Sequence, residues 1–216
     1  MPGRAVIFDL DGTLLDSLGD IADSMNAALL EMGFSGHEIK SYRLFVGDGV
    51  AKLARRALPE QFRGDDTVEE CMRRMRRIYA GRLCRNTRPY PGIEDMLDAL
   101  ISRGIRMAVL SNKPDEFTRI LVSRLLNPRY FACVFGARPE LSPKPDPRGL
   151  LAVAGALGLE PARCVYVGDS GVDMRTASAA GMRSVGVLWG FRGEAELRQA
   201  GADAIIATPE DLPRLV

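Results

Sequence analysis

Apolar positions along the chain follow two rhythms. Short apolar runs of strand length stand at 4–8 (closing on AVIF), 107–110 (MAVL), 133–135 (CVF), 164–168 (CVYVG), 184–188 (SVGVL) and 204–207 (AIIA). Between them apolar residues recur at helical spacing. Ile21, Met25, Ala28, Leu29 and Met32 predict a first helix with Gly33 as its C-terminal stop. Met72, Met75, Tyr79 and Leu83 predict one face of a helix over 67–83. Further helices are expected from Pro91-Gly92 through Leu100, from the SNKPDE segment to about Leu126, over 148–157, from the DSGVD segment to Ala180, and over 194–200. Strands alternating with helices of this length predict an α/β fold built on a parallel sheet. Residues 16–86 break the rhythm. They carry no convincing strand, and Gly36, Gly47, Gly49 and Pro59 cut 34–64 into short helices and loops. An all-helical insertion directly after the first strand is the expectation, with no repeat and no low-complexity segment.

Composition changes this picture little. The chain has 216 residues, 46% hydrophobic and 26% charged, enough for one large domain or two small ones with a real core. A net charge of +1, from 29 basic and 28 acidic residues, gives no electrostatic case for nucleic acid or an anionic membrane. Cys71, Cys84, Cys133 and Cys164 form no CxxC pair, which argues against a zinc or redox motif and for buried free thiols in a reducing compartment. No signal peptide or membrane span is expected, since no apolar stretch reaches 15 residues. A cytoplasmic protein acting as monomer or homodimer is the expectation.

The chemistry gathers just past the strands, where open parallel sheets bind ligands. Asp9, Asp11 and Thr13 follow the first strand; Ser111 and Asn112 follow MAVL; Lys144 lies in the loop after CVF; Asp169, Ser170 and Asp173 follow CVYVG. Several carboxylates at one edge stay ionised only beside cations. A hard divalent ion with oxygen ligands, Mg²⁺, suits them and often binds a substrate phosphate as well. Lys144 adds a positive charge, and Ser111, Thr13 and nearby backbone N–H groups are donors suited to phosphate oxygens. Phosphoryl transfer is mostly positioning and charge neutralisation.

At these residues the chain resembles the haloacid dehalogenase-like hydrolases, in their phosphoglycolate phosphatase-like branch. DxDGT is met at 9–13, the Ser/Thr motif at Ser111-Asn112, the lysine motif at Lys144 within SPKPDP, and the acidic GDSxxD motif at 168–173. The resemblance implies a Rossmann-like core over 1–15 and 87–216 and a small helical cap over 16–86. It implies Asp9 as nucleophile and Asp11 as general acid and then base. It also implies a Mg²⁺ site from Asp9, Asp169 and the Asp11 main-chain carbonyl. Asp173 would serve as a further metal ligand or as a support. Lys144 joins the catalytic set and holds the phosphoryl group with Thr13, Ser111 and Asn112. The implied substrate is a small phosphorylated metabolite, 2-phosphoglycolate first; sugar phosphates or pyrophosphate, in a phosphatase or phosphoglucomutase-like enzyme, are the alternative. Asp11 favours phosphate esters over carbon–halogen bonds, which need no acid for a leaving alkoxide. In the insertion, Gly47, Asp48 and Gly49 within FVGDGV resemble the family's substrate-facing loop. Arg43, Lys52, Arg55 and Arg56 flank it, and one of them is a candidate for a substrate carboxylate.

Other features have plainer explanations. The seven arginines of 71–88 suit the solvated face of an amphipathic helix. His37 lies among polar residues, and Trp189 suits loop packing.

Overall fold

The computed structural model describes residues 4–216. Six strands form one parallel sheet: β1 (Ala5–Phe8), β4 (Arg106–Pro114), β5 (Phe131–Ala137), β6 (Cys164–Gly168), β7 (Arg183–Val187) and β8 (Ala204–Ile206). Their spatial order is β5-β4-β1-β6-β7-β8. The chain builds outward from β1 through β4 to β5, then returns to β6 on the other flank of β1. That reversal makes a switch point at the carboxyl ends of β1, β4 and β6.

Both faces of the sheet are buried, which is why the strands read as unbroken apolar runs. Side-chain alternation divides β1 between two cores. Val6 and Phe8 join Met107, Val109 and Val167 on one face. Ala5 and Ile7 join Ala108, Leu110 and Tyr166 on the other. The first face is covered by α5 (Ile93–Ser102) and α6 (Asp115–Leu125), the second by α7 (Arg148–Ala156) and α8 (Gly171–Ala179).

Residues 18–80 hold four helices: α1 (Leu18–Glu31), α2 (Tyr42–Phe45), α3 (Val50–Ala57) and α4 (Asp65–Ala80). They share their own apolar cluster around Met25, Leu53, Cys71 and Met75, to which Phe117 and Phe191 of the sheet layer contribute. The arginines of α4 pair with carboxylates: Arg73 and Arg74 with Glu70, Arg77 with Glu31, and Arg76 with Glu116.

Three details differ from the sequence expectation. β4 runs to Pro114 rather than stopping at Leu110, because Pro114 still pairs with Ala137. Where the chain leaves and rejoins the sheet layer, β2 (Leu15–Asp16) and β3 (Arg88–Pro89) pair antiparallel. A last short helix, α10 (Leu212–Leu215), follows β8.

Candidate active site

The loop after β1 carries the first group. Asp9 still donates its N–H to the Val167 carbonyl at 2.9 Å, so its side chain leaves the sheet at the edge of β6. The Leu10 carbonyl then accepts from the N–H groups of Thr13, Leu14 and Leu15, folding 10–15 into a tight knot. Gly12 sits in that knot at φ +84°, and a Cβ there would meet an Asp169 carboxylate oxygen at 2.3 Å. Only glycine gives both the conformation and the clearance.

β4 supplies the second group through a bulge. From Leu110 to Pro114 it advances four residues while its partner advances two, Phe135 to Ala137. Ser111, Asn112 and Lys113 thus stand opposite the single Gly136, two residues in excess, and are presented at the strand's carboxyl end. The Asn112 amide ties elements together: Oδ1 accepts from the Lys144 N–H at 2.8 Å, and Nδ2 donates to the Lys144 carbonyl at 3.2 Å and the Gly47 carbonyl at 3.1 Å.

At the centre, Asp9, Asp169 and Asp173 are buried, with one carboxylate oxygen of each within 4.8 Å of the other two. Lys144, equally buried, is the cation among them, with Nζ 3.0 Å from Asp9 and 2.6 Å from Asp173. Asp173 has both oxygens engaged. Oδ1 accepts from Lys144 and from the Tyr166 hydroxyl at 3.1 Å, and Oδ2 accepts from the N–H and hydroxyl of Ser170 as a capping box on α8. Asp169 accepts from the Phe191 N–H at 2.7 Å. Asp9 uses Oδ1 for the Leu10 N–H at 2.7 Å and for Lys144.

Burial dominates the electrostatics. It pushes the Asp9 carboxyl up; Lys144 pulls it back, Asp173 pushes it up again, and the group ends at about 7. Burial, then Asp173 and Asp9, raise Asp169 well above the usual carboxylate range. Burial alone would lower Lys144, but Asp173 and Asp9 more than offset it and hold the amine above its ordinary value. One amine for three desolvated carboxylates leaves an excess of negative charge that an oxygen-liganded divalent cation would neutralise. The donor set therefore fits Mg²⁺.

Asp11 stands apart from that cluster. Its carboxylate accepts from Lys113 Nζ with both oxygens, each at 2.9 Å, and from the Ser17 hydroxyl at 2.5 Å. Lys113 is nearly fully buried, with Nζ 4.8 Å from the centre of the Tyr79 ring on α4. Thr13 is buried with no partner for Oγ1, while its carbonyl accepts from Trp189 Nε1 at 2.9 Å. A buried hydroxyl without a partner is a donor with capacity for an acceptor.

Of the insertion residues, Gly47 and Gly49 line the cavity above the site, together with Asp9, Asp11, Ser111 and Asn112. Asp48 does not: its carboxylate pairs with Arg56 at 2.6 Å and Lys52 at 3.3 Å. Arg55 pairs with Asp65. The sequence reading passed over Lys113 and Tyr166. Lys113 carried a signal, since it directly follows Ser111-Asn112 where a strand edge turns polar. Tyr166 looked like one more apolar strand residue. His37 lies within the helical unit, its Nε2 2.7 Å from the Ala57 carbonyl.

Among known proteins, the haloacid dehalogenase-like hydrolase family matches residues 6–187. A phosphoglycolate phosphatase of Aquifex aeolicus is 33% identical over 213 residues, 99% of this chain and 96% of that one. Phosphoglycolate phosphatase 1 of Pseudomonas aeruginosa is 33% identical over 213 residues, 97% of this chain and 78% of that one. The crystal structure of a proposed phosphoglycolate phosphatase from Lactobacillus delbrueckii subsp. bulgaricus is similar with a TM-score of 0.93 at 30% identity, over 100% of this chain and 98% of that one.

Proposed function

The chain belongs to the haloacid dehalogenase-like hydrolases, in the phosphoglycolate phosphatase-like branch, and is a phosphoric monoester hydrolase; from that premise we propose a Mg²⁺-dependent mechanism through an aspartyl-phosphate. The observation that carries it is the pairing of Asp9 with Lys144 inside a buried carboxylate cluster at the switch point. Leu10 N–H and Lys144 fix Oδ1, which leaves Oδ2 to attack phosphorus as the ester oxygen departs. Asp11, oriented by Lys113 and Ser17, gives the departing oxygen its proton and then takes one from the water that cleaves the phospho-enzyme. Ser111, the Thr13 hydroxyl and Lys144 bind the phosphoryl oxygens. Asp9, Asp169 and the Asp11 carbonyl would hold Mg²⁺, which when bound withdraws charge from the phosphoryl group. Asp173, with both oxygens engaged, supports Lys144 rather than a metal.

We read 16–86 as a cap that keeps bulk water from the phospho-enzyme and leaves the cleaving water to Asp11. The names of the relatives make 2-phosphoglycolate the first substrate to test. The setting is the cytoplasm, consistent with four free cysteines and no helix long and apolar enough to cross a membrane among the described residues.

Two measurements test the mechanism. Asp9→Asn should lower Mg²⁺-dependent hydrolysis by about a thousandfold or more; turnover that survives removes Asp9 as nucleophile. Mg²⁺ should raise the thermal midpoint of the unaltered protein, since it binds only the folded cluster. Asp169→Asn should abolish that rise, and an undiminished rise places the metal elsewhere.

A further inference from the structure

The cavity over Asp9 encloses about 560 Å³ between α1, α3, α4 and α6. That is the size of a pocket for a ligand far larger than a two-carbon acid. Beyond the phosphoryl end one part of its wall is apolar, with Ile21, Val50, Leu53, Met72, Met75 and Phe117, and Glu69, Arg73, Arg76, Arg77 and Glu116 line the rest. The Phe117 ring meets Tyr79 edge-on, with centroids 5.3 Å apart, giving an aromatic floor. Met72 and Met75 are side chains that adapt to the shape of an apolar guest.

Charge gives the complementary half. Every cation lining the cavity already has a carboxylate partner: Lys113 has Asp11, Arg73 has Glu70, Arg76 has Glu116 and Arg77 has Glu31. The lining offers a substrate carboxylate no unengaged cation, and a carboxylate there would lie against hydrocarbon at a desolvation cost.

We propose that this site accepts phosphomonoesters whose alcohol carries an apolar body of about the size of an aromatic ring, seated against Leu53, Met72 and Phe117. The inference rests on the phosphatase reading and names its substrate class. The reaction is the same hydrolysis: the P–O ester bond breaks, the alcohol takes up a proton, and water supplies the oxygen of the released phosphate.

Ethyl phosphate and 2-phenylethyl phosphate test it, because both release an alkyl alcohol and differ only by the ring; 2-phosphoglycolate puts a carboxylate in the ring's place. The ring should raise kcat/KM over ethyl phosphate by roughly tenfold or more, a modest share of what burying it yields. Met72→Gln, which keeps length but adds an amide, should shrink that ratio about threefold or more. A ratio near one, a ratio that Met72→Gln leaves unmoved, or 2-phosphoglycolate turning over tenfold better than 2-phenylethyl phosphate would overturn the proposal. Should no ester be hydrolysed, the phosphatase reading fails. Calorimetric titration of the unaltered protein with the two alkyl esters in Mg²⁺ then decides the pocket by itself: tighter binding of the ring-bearing ester supports it, and equal binding sinks it.

Discussion

Lys113 and Asp11 form a near-symmetric pair, both carboxylate oxygens 2.9 Å from one amine. Burial would lower the lysine, but Asp11 and Tyr79 more than offset it and hold the amine above its ordinary value. Lys113 is thus a fixed cation that aims Asp11, and it touches neither phosphorus nor the leaving oxygen in the mechanism above. Lys113→Met should lower kcat about ten- to a hundredfold, the range of a misaligned proton donor, and leave KM nearly unchanged. Lys113→Arg should recover part of kcat; equal losses in kcat and in thermal stability for both variants would instead mark a structural pair. Asp9, Ser111 and Asp169 were legible as candidates because each closes an apolar run at a polar edge, and because their order along the chain resembles a known family. Lys113 was not, since its partner lies 102 positions away and nothing local announces the pair. Asp48 is a case of another kind. A carboxylate between two loop glycines looks substrate-facing, and in the structure it pairs with Lys52 and Arg56, four and eight residues onward.

The loops are where strand and helix expectations stop being sufficient. Periodicity located each strand of the large sheet, because buried strands must be apolar on both faces. It could not foresee that β4 continues through Ser111-Asn112-Lys113, since polar residues at a bulge resemble a loop. Nor could it see β2 and β3, two residues each, whose pairing depends on a partner across the whole insertion. The loop after β7 packs against the loop after β1 with no room to spare. A Cβ on Gly190 would lie 2.3 Å from the Asp169 Cβ and 2.4 Å from the Gly12 carbonyl. Gly190→Ala should therefore destabilise the fold by about 1–3 kcal/mol, as overpacking does. Urea unfolding should show the lower midpoint, and the Mg²⁺-dependent rise in thermal midpoint should shrink with it. An unchanged midpoint would mean that the two loops part freely.

At the scale of the molecule, one buried carboxylate joins the helical unit to the sheet layer. Asp20 on α1 is almost fully buried and accepts from the Asn86 N–H at 2.9 Å, the Thr87 N–H at 2.9 Å and the Thr87 hydroxyl at 2.6 Å. It thereby ties the outgoing connection to the returning one. Asp20→Ala should cost about 2–4 kcal/mol, because three donors, the two of Thr87 buried, lose a charged acceptor. Amide exchange at Asn86 and Thr87 should quicken more than exchange in β1 or β6; uniform quickening would mean that Asp20 serves the whole fold rather than this junction. The break in strand rhythm marks the segment that carries its own apolar cluster, whereas nothing local marks the clamp, because a lone aspartate on an amphipathic helix looks solvated. The β2–β3 ribbon has a consequence of another kind. Asp16 and Arg88 face each other directly across it, at the separation a two-residue hairpin turn spans. Both ends of the segment between them therefore meet at one point of the sheet layer, so a replacement whose ends meet at the same spacing should leave the register of β1 against β4 unchanged.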